Sequence, residues 1–103
     1  MAEKEERIQL LHPDPSKSAP HISLRKYNIL RQALLTLIPD EEIGVPFQDL
    51  PKQVAALLTQ EELGMLGNVG WYTISVKLDL EARGLIERVP EASPQRLRRT
   101  TMH

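Results

Sequence analysis

At Gly84 the apolar period of the chain changes, and that change constrains the fold more than any other feature of the sequence. From a capping Asn68 to Arg83 the apolar residues recur with a helical period. Beyond Gly84, Leu85-Ile86-Glu87-Arg88-Val89 and Gln95-Arg96-Leu97-Arg98-Arg99-Thr100 alternate with period two around the breaker-rich turn Pro90-Glu91-Ala92-Ser93-Pro94. Glycine accepts the positive φ that ends a helix and reverses the chain. The spacing therefore predicts a helix from Asn68 to Arg83 that feeds a β-hairpin.

Upstream, Ser23 is placed to cap a helix from Leu24 to Ile38, with Ile22 and Tyr27 as its hydrophobic staple. Tyr27, Leu30, Leu34, Leu37 and Ile38 form one apolar stripe, and Pro39 ends it. Ile43-Gly44-Val45-Pro46-Phe47 reads as a short edge strand, since proline cannot donate within a sheet. Leu50, Val54, Leu57 and Leu58 give a second helical series with Pro51 in its first turn. Thr59 and Glu62 have capping-box spacing for a further short turn of helix stopped by Gly67. Residues 1–21 read as an extended arm, because Pro13, Pro15 and Pro20 forbid a continuous helix, and residues 22–103 as the folded domain. Ile8, Leu10 and Leu11 are apolar enough to be expected against that domain or a second copy of it.

Several classes of function fall away on composition. The 103 residues contain no cysteine, so thiolate metal sites and thiol nucleophiles are excluded. No apolar run approaches a membrane span and no secretory leader is visible, which gives a cytoplasmic protein as the expectation. His12, His21 and His103 are scattered, the adjacent pairs Glu41-Glu42 and Glu61-Glu62 point apart on a helix, and the glycines at 64, 67 and 70 lack a phosphate-loop context. The expectation is a protein that is not an enzyme and needs no metal or cofactor.

The element order of helix, short strand, helix, helix and hairpin is that of a winged helix-turn-helix: mainly α, with a three-helix core and a two- or three-stranded antiparallel sheet. Leu80-Glu81-Ala82-Arg83-Gly84-Leu85-Ile86-Glu87-Arg88 resembles the junction between recognition helix and wing in many bacterial regulators. More broadly, Gln9-Leu10-Leu11-His12-Pro13-Asp14-Pro15, Gly44-Val45-Pro46-Phe47, Gly70-Trp71-Tyr72-Thr73 and Ser93-Pro94-Gln95-Arg96-Leu97-Arg98-Arg99 resemble a family of small stand-alone bacterial winged-helix proteins. That resemblance implies the fold and carries no activity with it.

Two functional readings follow. The net charge of −1 conceals a C-terminal excess of cations: residues 70–103 hold six Lys and Arg against four Asp and Glu. A double-stranded DNA partner, and with it a transcription regulator or accessory factor, would use Asn68, Thr73, Ser75 and Lys77 on the helix and Arg88, Gln95, Arg96, Arg98 and Arg99 on the wing. Against it, Asp79, Glu81, Glu87 and Glu91 would repel phosphate or pair with the arginines. The alternative is a protein-interaction or homodimer module, because Trp71, Ile74 and Leu78 form a second apolar stripe where a groove-reading helix would be polar. A simpler account of that stripe is that the arm, or the turn after the second helix, covers it, since a helix apolar on most sides is usually interior.

Overall fold

The computed structural model describes residues 5–100. His103 and the start of the charged N-terminal run lie outside the described residues. The described residues form four α-helices and two antiparallel sheets. Among the described residues no helix is long and apolar enough to cross a membrane.

The arm is more ordered than its prolines suggest. Strand β1 (Arg7–Gln9) pairs antiparallel with β2 (His21–Ser23), Ile8 facing Ile22, so the proline-rich stretch is the connection of a hairpin. Leu10 leaves β1 directly into the core, where it is 1% exposed, while Leu11 turns outward.

Ser23 ends β2 and caps helix α1 (Leu24–Leu37), its hydroxyl accepting from the Lys26 amide at 3.3 Å. Tyr27, Leu30 and Leu34 of α1 are buried, as their spacing requires, and Ile38 just past its end is buried too. Strand β3 (Val45–Pro46) leads through one 3-10 turn into α2 (Leu50–Leu57), which carries Pro51 in its first turn. Leu57, expected on the buried side of that helix, is exposed, because the helix ends there and only Leu50 and Val54 reach the core fully.

Helix α3 (Gln60–Leu66) has the complete capping box of Thr59 and Glu62. Gly67, at φ +75°, separates it from α4 (Val69–Ala82), which Asn68 caps by accepting from the Trp71 amide at 2.9 Å. At Gly84, φ +76°, the chain reverses into β4 (Ile86–Arg88), which pairs with β5 (Arg96–Arg99). Strand β3 joins the other side of β5, giving the order β3-β5-β4 with Pro46 on an edge strand. Ile86 and Leu97 carry this sheet onto the same core as Leu10, Leu30, Leu50, Val76 and Leu80.

Two glycines at positive φ differ in what surrounds them. At Gly44, φ +65°, a Cβ would sit 2.2 Å from the Leu97 carbonyl oxygen, so β3 reaches β5 only because that position lacks a side chain. At Gly84 a Cβ would meet nothing within 4 Å. Gly44→Ala is expected to cost at least ~3 kcal/mol, from clash added to backbone strain, and Gly84→Ala only about 1–2 kcal/mol from strain alone. Urea unfolding of the two variants checks the difference.

Candidate functional site

Helix α4 has two unlike apolar sides. Thr73, Val76 and Leu80 are fully buried, as the first stripe predicts. Successive residues turn by about 100°, which puts Trp71, Ile74 and Leu78 on the opposite side. The arm does not cover them: Trp71 is 44% exposed, Ile74 45% exposed and Leu78 half-buried. The expectation of a covered stripe is corrected here, and the reason is the route of the arm. Its buried anchor, Leu10, enters the core, and Leu11, 42% exposed, lines a shallow pocket together with Ala82 at the C-terminal end of α4. The Trp71 ring meets Tyr72 edge-on, ring centroids 4.9 Å apart.

The polar residues of α4 explain its orientation. Asp79 is fully buried, and its carboxylate accepts from the Leu11 amide at 2.8 Å, the Tyr27 hydroxyl at 2.7 Å and Arg83 Nε at 2.8 Å. Arg83 also donates to the Gln9 carbonyl at 3.4 Å. The sequence marked Asp79 only as an acid near the arginines; its role in joining α4 to the arm and α1 is visible only in three dimensions. Burial, reinforced by the hydrogen bond to Asp79, pushes the Tyr27 phenol up to about 12. The Asp79 hydrogen bond likewise holds Arg83 above its ordinary range.

A second buried pair lies towards the sheet. Lys77 is 3% exposed, with Nζ 2.9 Å from Glu81 Oε2 and 4.6 Å from the centre of the Phe47 ring. Burial pulls its pKa down and Glu81 opposes the shift. Arg88 reaches the other oxygen of Glu81 from β4 at 2.8 Å.

The residues expected to meet DNA are therefore not gathered on one open surface. Asn68 is exposed at the helix cap and Ser75 is half-buried near the outward strip, but Thr73 is sealed in the core and Lys77 is turned inward. On β5, Arg96 donates to the carbonyls of Ile43 and Gly44, Arg98 to Glu87 and the Glu42 carbonyl, and Arg99 to the Ile38 carbonyl. Gln95 is half-buried with Oε1 enclosed. Guanidinium groups in this arrangement hold the 38–44 loop against the sheet. The local pairing anticipated for the acids is found at Arg83–Asp79, Arg88–Glu81 and Arg98–Glu87. A groove of about 700 Å³ between α1, α2 and α3, walled by Ile29, Leu57 and Met65, has Arg25, Glu61 and Glu62 on its rim.

Removing the Asp79 carboxylate would leave Arg83, Tyr27 and the Leu11 amide without their acceptor. Asp79→Ala is expected to cost about 3–5 kcal/mol in chemical unfolding. Tyr27 supplies a pH signature. Its proton is held to about 12 in the folded chain against 10.0 as the ordinary value, so the unfolded state gives up that proton first. Its contribution is fully present below about pH 10 and is lost as pH rises towards 12, by roughly 1–3 kcal/mol. In unfolding measured from about pH 9 upward, Tyr27→Phe should lack that part of the decline.

Comparison with known proteins adds a family and no activity. No curated protein and no solved structure matches the chain. A family model described as a family of unknown function (DUF6958) matches residues 7–97. That span runs from β1 through all four helices and into β5, so the chain belongs to this family.

Proposed function

We propose that this protein is a non-catalytic protein-interaction module on a winged-helix scaffold, with the outward side of α4 as its docking face. The order α1, β3, α2, α4 and the β4–β5 hairpin, with the sheet order β3-β5-β4, supports the scaffold; α3 and the β1–β2 hairpin are additions to it. The observation that carries the function is that Trp71 and Ile74 are nearly half-exposed on the side of α4 that faces away from the core. Large apolar side chains on one strip cost solubility when left in water and are characteristic of the centre of protein interfaces.

The DNA reading has less support. A helix lying in a major groove would present polar side chains on its outer side, whereas here the outer side is apolar and Lys77 is bonded to Glu81. The β5 arginines Arg96, Arg98 and Arg99 already donate to backbone carbonyls and to the Glu87 carboxylate of the chain itself.

A photo-cross-linking residue placed at Ile74 in the native cell is expected to give discrete protein adducts, and the same residue at Thr36, exposed on α1, to give none. Adducts with nucleic acid, or no adduct dependent on position 74, would overturn the proposal.

A further inference from the structure

The charges beside the α4 strip select among partners. Both acids of α4 are withdrawn: Asp79 is fully buried, and the Glu81 side chain is 8% exposed between Lys77 and Arg88. The charged groups tied to the flanks and standing further out are cations. Lys26 Nζ lies 3.4 Å from the Tyr72 hydroxyl, and the Tyr72 ring meets Trp71, which puts Lys26 along the N-terminal half of the strip. On the other flank Arg88 engages Glu81 through Nε, and its side chain is 55% exposed. At the C-terminal end the Arg83 side chain is 33% exposed. Three outward cations, Lys26, Arg83 and Arg88, and the inward-turned Lys77 thus surround the two withdrawn carboxylates of α4.

From this we infer that the docking face takes an acidic amphipathic segment of a partner protein, with apolar side chains over Trp71, Ile74 and Leu78 and carboxylates towards Lys26, Arg83 and Arg88. The inference rests on the reading of α4 as a docking face and adds the chemistry of what docks. A second copy placed α4 to α4 would bring these cations towards their own kind, and like charges facing each other oppose association. A nucleic-acid duplex would neutralise the cations but offer no apolar cover to Trp71 and Ile74. The strip from Trp71 to Ala82 is about 16 Å long, which matches roughly three turns of a partner helix.

The test uses the full chain and a displayed library of random peptides about five helical turns long, selected on the wild-type protein and counter-selected on Ile74→Glu and, independently, Trp71→Ser. Circular dichroism establishes that each counter-target is folded. Trp71 is the only tryptophan in the chain, so its emission reports directly on the face. Surviving peptides are expected to combine apolar residues at helical spacing with an excess of Asp and Glu, and to shift Trp71 emission to the blue. Lys26→Glu, or replacement of the peptide acids by lysine, should weaken binding about tenfold or more. Survivors that are neutral or basic, or that are indifferent to Lys26→Glu, would overturn the acidic partner while leaving the docking face standing. No survivors after counter-selection, or a short DNA duplex shifting Trp71 emission where peptides do not, would overturn both.

Discussion

The buried carboxylate of Asp79 is the interaction on which the arrangement depends. It gathers a backbone amide from the arm, a phenol from α1 and a guanidinium from its own helix. Desolvating a carboxylate costs several kcal/mol unless hydrogen bonds and an opposite charge offset it, and here three donors do so at 2.7 to 2.8 Å. Any rotation of α4 would break the Leu11 and Tyr27 contacts together, while the Arg83 pair would turn with the helix. With Leu10 seated in the core and the Leu11 amide held by Asp79, the rotation of α4 is fixed with Val76 and Leu80 inward. Trp71 and Ile74 are then outward by geometry.

The same logic operates among the cations. Lys77 lies under Phe47 and against Glu81, where a cation loses hydration but gains a carboxylate and an aromatic face. Arg96, Arg98 and Arg99 bridge from β5 to the carbonyls of the 38–44 loop, groups that neither a helix nor a strand satisfies. A cluster that looks in one dimension like a surface for polyanions therefore also acts as a brace for an irregular loop. This shifts the functional reading from the hairpin to the exposed side of α4.

Much of the secondary structure is legible from local chemistry. Ser23, Thr59 and Asn68 cap the helices where their side chains predict, and Gly84 reverses the chain where the period changes. Pro46 marks an edge strand. Less legible were the pairing of Arg7–Gln9 with His21–Ser23 and the exposure of Leu57. Strands of three residues carry too little alternation to announce themselves, and a helix that ends at a leucine gives no sign of whether neighbours will cover it. The candidate site was half visible: Trp71, Ile74 and Leu78 stood out as a stripe, but the periodicity of one helix does not say which of two apolar sides meets the core.

The sequence by itself determined where the helices begin and end, where the hairpin starts and which residues share a face, because caps, glycines and apolar spacing act over a few residues. Only the tertiary structure decided which side of α4 stays open and which cations keep an exposed side chain. Those outcomes depend on Asp79 finding a partner 68 residues away at Leu11 and on β5 arginines reaching carbonyls more than fifty residues distant, contacts between groups whose separation along the chain leaves no local trace.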